Sequence, residues 1–274
     1  MGLALLIYAG CENVDNPVNE MGEQIGPYVR FQAETAVGAP ESVVNVIVQL
    51  PTTIEEDVDY TVSFGGDAVY GEDFTIVDTD GNVRGGFSAE GGTSTIFYDA
   101  EETSIDRDTL FVAIDFDAVD GRQLSIQLVE AESASGREVL PGRGELFTTF
   151  DLSLEGFVDI PVGTYVGSRV GFSPADAEVT IAKPDGGIDV GGDLYFFEIS
   201  DFTGAGDLFG VGIPWAFNVT SGGTVVGADE SHVFDLGAAV SGTYNFDSQA
   251  LSLDVVYTQN GSVFEWAVVV SLDE

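Results

Sequence analysis

From Tyr28 onward the chain is written in short apolar runs broken by polar and glycine-rich steps, and no stretch sustains an apolar period of 3.6 residues. That pattern predicts strands throughout and no amphipathic helix. In the first half the runs are 43–50, rich in β-branched side chains, then 60–64, 95–98, 110–114, 124–128 and 147–154, each bounded by Gly or acidic turn residues. Seven or eight such strands over about 125 residues suit an immunoglobulin-like sandwich. Residues 156–161 read as a joint. A second series follows at 163–167, 178–181, 194–199, 215–219, 242–246, 251–257 and 263–270. The last two runs flank Asn260-Gly261, the strongest short hairpin signal. Their even spacing predicts a second antiparallel β domain, a small barrel or another sandwich. Gly-Thr-Tyr occurs at 163–165 and again at 242–244 and reads as a pair of related strand starts. The expected organisation is therefore all-β, with a sandwich over 28–156 and an antiparallel domain over 157–274.

Composition narrows the chemistry. The 274 residues hold 47 Asp+Glu against 8 Lys+Arg, a formal net charge of −39, with 44% hydrophobic and 11% aromatic residues. The apolar content is too high for an acidic disordered chain. The charge excludes binding to nucleic acid through its phosphates, which needs clustered Lys and Arg. The acids are spread along the chain and belong to solvated faces. Their mutual repulsion opposes compaction at low ionic strength and is screened by salt. A single His and a single Cys leave no Cys/His metal site and no disulfide framework. His232 stands in a polar stretch with no second histidine, and reads as a surface residue.

Near the amino end, Leu3 to Ala9 form a seven-residue apolar run, too short for a bilayer span and suited to the apolar core of a secretion signal. Ala9 and Gly10 stand directly before Cys11. This resembles the lipobox of bacterial lipoproteins, in which that cysteine is lipidated and becomes the first mature residue; Tyr8 stands where Leu is usual. The resemblance implies a signal segment over 1–10 and a membrane anchor at Cys11. Residues 11–27 are polar and contain Pro17, as a tether would. Acids behind the cysteine resemble the surface-export signal of Bacteroidetes lipoproteins, which implies the outer membrane and its exposed face.

Four pieces in order resemble the Calx-beta family, a sandwich module of surface proteins and sodium/calcium exchangers. They are Tyr28 to Phe31 with Glu34; Tyr60 to Phe64 followed by Gly71-Glu72-Asp73-Phe74; Leu110 to Ile114 followed by Asp115-Phe116-Asp117; and Leu124 to Leu128. The resemblance implies a calcium set of Glu34, Asp73, Asp115 and Asp117, hard oxygen ligands of the kind calcium takes. The departure lies at 119–123, where Asp120 is the one acid and Arg122 brings the opposite charge. Asp78-Thr79-Asp80-Gly81-Asn82 looks like part of a calcium loop. Aligned on Gly81, however, it puts Ile76 and Phe87 at ligand positions, so it reads as an Asp-Gly turn. The second domain is similar in style to carboxy-terminal β domains of surface lipoproteins near glycan-uptake systems.

Among the aromatics, Trp215 is the candidate for stacking on a sugar, with Tyr195, Tyr257 and Trp266 as further members of such a platform; the other reading, and the commoner one for such residues, is that they sit in a β core. No nucleophile elbow, phosphate loop or zinc-helix motif is present. The expectation is a non-enzymatic, lipid-anchored surface protein, calcium-stabilised, serving adhesion or as an accessory of an envelope assembly with surface proteins as partners. A glycan-binding lipoprotein of an uptake system is the alternative. A glycosidase built on two carboxylates is the third reading.

Overall fold

The computed structural model describes residues 26–51, 54–101, 105–142, 147–171, 175–200, 214–228, 238–259 and 262–273. It is all-β among those residues, and it divides into two compact units. The first comprises residues up to 38, 43–113 and 122–153; the second comprises 39–42, 114–121 and 154 onward.

The first unit contains β1 (Tyr28–Phe31), β2 (Thr35–Gly38), β3 (Val43–Leu50), β4 (Val58–Gly66), β5 (Phe74–Val77), β6 (Phe87–Ser88), β7 (Gly91–Ile96), β8 (Asp106–Ile114), β9 (Gln123–Ser133), β10 (Glu138–Pro141) and β11 (Thr149–Leu154). The strand order is β5-β8-β3-β1-β10-β9-β4-β7-β6, with β11 joining β9 to β2. A parallel pair, β1 with β10, links the β5-β8-β3-β1 half, antiparallel from β8 to β1, to a second, antiparallel half. The inward rows of both halves are apolar, as in Val46, Val48 and Leu110 against Tyr60, Val62 and Ile126, all at most 1% exposed. The register of β3 on β8 sets Val43 opposite Ala113, Asn45 opposite Phe111, Ile47 opposite Thr109 and Gln49 opposite Arg107. These are the outward rows, since Val46, Val48, Leu110 and Val112 between them are buried.

β9 shows how one residue re-aims a strand. Leu124, Ile126 and Leu128 point inward; then the pairing with β4 jumps from Leu128 to Glu130, and Ala131 and Ser133 point inward instead. The bulge at Val129 shifts the parity by one, and leaves Val129 itself 52% exposed. The Asp78 segment is a turn, as its sequence predicts: Asp78 Oδ1 accepts from the Asp80 and Asn82 amides at 2.9 Å, and Val77 bridges to Val83.

The second unit is built on a closed antiparallel barrel of eight strands: β12 (Gly163–Val170), β13 (Asp176–Ala182), β16 (Phe197–Ile199), β17 (Trp215–Val219), β18 (Thr224–Gly227), β19 (Ala238–Asn245), β20 (Ala250–Gln259) and β21 (Ser262–Leu272). β21 pairs back onto β12, so no edge strand remains. A hairpin of β14 (Ile188–Val190) and β15 (Asp193–Tyr195) is inserted between β13 and β16. β13 alternates perfectly, Ala177, Val179 and Ile181 inward and Asp176, Glu178 and Thr180 outward. The interior is filled by side chains, among them Tyr165, Phe197, Trp215, Phe217, Tyr244 and Leu253.

Two sequence expectations change here. Residues 194–199 are not one strand but two, because the Phe196 amide donates to Asn218 Oδ1 at 2.7 Å and leaves the ladder. Tyr195 accordingly packs with Phe116, Ala216 and Val226 outside the barrel, whereas Phe197 packs inside it. The two Gly-Thr-Tyr triplets are not both strand starts: Gly163 opens β12, but Gly242 lies within β19. Both tyrosines do enter the same barrel core.

Trp215 lies against the bare backbone of Gly227, where an added Cβ would stand 1.7 Å from the indole. Overpacking a filled core costs about 1–3 kcal/mol. Gly227→Ala should therefore lower stability by about 3 kcal/mol in denaturant unfolding, and Trp215→Phe in the same chain should recover part of the loss. An unchanged midpoint in Gly227→Ala would mean that the indole is not held there.

Candidate functional site

The four carboxylates of the expected calcium set fall in different local environments. Asp73 sits where the chain turns into β5. The Gly71 amide donates to the Phe74 carbonyl at 2.8 Å, and the Asp73 amide to that of Val69 at 2.8 Å. This turn carries the Asp73 side chain inward, where it is 1% exposed. Its Oδ2 accepts from the Val69 amide at 2.7 Å and from Arg122 Nη1 at 2.5 Å. Arg122 opens the approach to β9, and its guanidinium provides positive charge at the carboxylate. Glu34 is exposed in the turn between β1 and β2, where its carbonyl accepts from the Asp151 amide at 2.8 Å. Asp115 and Asp117 follow β8 and are exposed, with the Asp117 amide donating to Asp115 Oδ1 at 3.3 Å. Among the described residues no group of three or more His, Cys, Asp or Glu side chains is arranged to hold a metal. Asp120, the remaining acid of that stretch, accepts from the Gly156 amide at 3.0 Å and from the Ser221 hydroxyl at 2.5 Å.

A second polar constellation lies inside the first unit, and sequence reading did not single it out. Asp108 Oδ2, on β8, accepts from the Tyr60 hydroxyl on β4 at 2.7 Å and from the Ser94 hydroxyl on β7 at 2.5 Å. Arg84 adds an ion pair to Asp108 at 3.4 Å, and its guanidinium lies 5.7 Å from the centroid of the Phe87 ring. Three strands of both halves thus meet on one carboxylate. Burial, reinforced by the Asp108 charge, pushes the Tyr60 hydroxyl far above the ordinary tyrosine range, so it stays a hydrogen-bond donor. The signal was present in the sequence: Asp108 shares the inward parity of Leu110 and Val112. A charged residue on an inward row needs partners.

The aromatic candidates are mostly interior. Trp215 is 1% exposed, its indole N–H donates to the Ala228 carbonyl at 3.2 Å, and its ring stacks on Phe217 with centroids 5.6 Å apart. Its faces are taken up by packing, so a stacked sugar has no access to them. Tyr195 is 3% exposed, and Trp266 packs half-buried against the barrel core. Cys11, His232, the Asn260-Gly261 turn and the side chain of Tyr257 lie outside the described residues.

No family model matches the chain, and no curated protein matches it. Among solved structures, one chain of a type I cohesin–dockerin complex from Clostridium thermocellum is similar. It shares 11% identity over 46% of this chain and 99% of its own length, at a TM-score of 0.23. A likeness at that score says nothing of what this chain does.

Three tests address these clusters. Arg122→Gln leaves the Asp73 carboxylate buried without its cation, and breaking such a pair costs about 3 kcal/mol or more. Arg122→Gln with Asp73→Asn should be less destabilised than Arg122→Gln alone. Because Arg122 already answers the Asp73 charge, calcium and magnesium at equal ionic strength should raise the melting temperature of the parent alike; a shift specific to calcium would overturn that. For Tyr60 the native state holds its proton beyond the ordinary value of 10.0. Its contribution is therefore full below that pH and falls as pH rises through it, by about 1.4 kcal/mol per pH unit. Tyr60→Phe should make the alkaline loss of stability shallower, and an unchanged slope would show that Tyr60 ionises freely in the native state.

Proposed function

We propose that the chain is a non-enzymatic, lipid-anchored protein of a bacterial outer membrane, exposed at the cell surface, whose two β units serve adhesion or an envelope assembly. The observation that carries the reading is the position of the lone cysteine, Cys11, directly behind a short apolar run and ahead of a polar stretch that leads into β1 at Tyr28. The packed units support it. Buried and half-buried polar groups are committed within the fold: Asp108 to Tyr60 and Ser94, Asp73 to Arg122, and Asn218 to the Leu194 carbonyl and the Phe196 amide. Thr220, also buried, donates to Glu155 at 2.6 Å. Groups committed in this way make a rigid scaffold for presentation at a surface. In this reading the positive charge that a Calx-beta resemblance would assign to bound calcium at Asp73 comes from Arg122.

Expressed in a bacterium that processes lipoproteins, the protein should incorporate a fatty-acid analogue and partition into the detergent phase. Cys11→Ala should abolish both. Equal labelling and equal partitioning in Cys11→Ala would sink the anchoring proposal.

A further inference from the structure

The outward faces of the two halves of the first unit differ in charge. The outward residues of β4, β9, β10 and β11 include Asp59, Glu130, Glu132, Glu138 and Asp151. The outward rows of β1, β3, β5 and β8 contain no acid, in a chain with 47 of them. Their middle pairs Phe111 with Asn45 and Ile47 with Thr109, Ile47 and Phe111 being partly exposed, and Val43, 52% exposed, pairs with Ala113 at one end. At the other end stands Arg107, opposite Gln49 and exposed. Among the described residues Arg107 forms no ion pair.

Clearing acids from one face has a physical consequence only if something that repels acids comes to lie there. A basic partner would be drawn to the acid-rich faces instead. The acid-rich body at hand is this chain itself, at −39. We infer that the β1-β3-β5-β8 face is where a second copy of this chain docks, with Ile47 and Phe111 of one face set on those of the other. A two-fold axis crossing the strands swaps their ends, so that each Arg107 lies over the Val43 end of the other copy and the two guanidinium groups do not meet. β1 and β5 have four residues each, β3 eight and β8 nine, and at about 4.8 Å between strands and about 3.3 Å per residue they make a face of roughly 400 Å². Two such faces bury on the order of 800 Å² in total, at the low end of the range of transient pairs. The pairing is therefore weak. It strengthens with salt, because salt screens the repulsion between the acidic bodies while the apolar contact remains. It does not depend on the proposed anchor, and either can fail alone.

The test is sedimentation equilibrium of the full chain carrying Cys11→Ser, so that lipid plays no part, from about 1 µM to about 1 mM protein, a range that brackets transient pairs. It is run in dilute buffer and in about 1 M NaCl, where the Debye length is about 3 Å. A monomer–dimer equilibrium is expected, stronger in salt, with association falling at least about tenfold in Phe111→Glu, as for a residue at the centre of an interface. Val43→Asp, at a position 52% exposed, should do the same without endangering the fold, and melting curves check both variants. Val269→Glu, on the outer wall of the barrel, should leave association unchanged. A monomer under every condition overturns the inference. So does a dimer that survives both face substitutions, or one weakened equally by Val269→Glu.

Discussion

A carboxylate taken out of water must bring a cation or several donors with it, since an uncompensated buried charge costs several kcal/mol. In a chain with 47 acids and 8 bases this constraint governs where the few cations go. Arg122 pairs with Asp73 and Arg84 with Asp108, two carboxylates that turn inward in the first unit. Lys183 pairs with Asp159, and the buried Arg169 donates to the Asp176 carbonyl. Arg30, with the Gln49 amide oxygen turned toward it, donates to that oxygen at 2.7 and 2.8 Å and lies 5.3 Å from the Phe147 ring centroid. Most of the bases are structural parts, and the acids elsewhere must stay in solvent. The alternation of inward apolar and outward polar residues is what lets them do so.

That alternation is also why much of the architecture was legible. A strand such as 176–182, reading polar-apolar without a break, can place its charges on one side only by lying in a sheet with a buried face. Closure of the second series into a barrel rather than a sandwich was open at the sequence level, because both bury one face of each strand. The pairing of β21 with β12 decides it, and pairing partners far apart in sequence leave no local trace. The parity shift at Val129 and the break at Phe196 were invisible for a related reason. Each is made by a distant element: β4, across the bulge, and the side chain of Asn218.

The candidate site was legible in a different degree. Asp73, Arg122 and Trp215 were singled out by residue type, but type alone does not say which way a side chain faces. Arg122 reads in sequence as a departure from a calcium-binding pattern; in the fold its guanidinium meets the carboxylate which that pattern would give to the metal. Trp215 reads in sequence as an aromatic open either to a ligand or to a β core; the absence of a side chain at Gly227 is what gives the indole its place inside the barrel. Asp108 matches no motif, although its inward parity is plain, because motifs are read from clusters of like residues. The cluster that forms is of unlike ones: a tyrosine, a serine and an arginine converging on one acid from β4, β7 and the segment before β6.

The same scarcity of cations gives meaning to the exception. If acids were scattered over the outward rows of the first unit without regard to contact, both of its halves would carry them, and one does not. An outward row of Val43, Asn45 and Ile47 beside Phe111 and Ala113 has ordinary strand propensity, so local structure does not require it to be free of charge. Nor does the interior, since these side chains face away from the core. What remains is a requirement from outside the unit, where an acidic face would be repelled and an apolar one accepted. Arg107, exposed at the end of that row while Arg84, Arg122 and Lys183 pair with acids of the chain, is consistent with the same requirement.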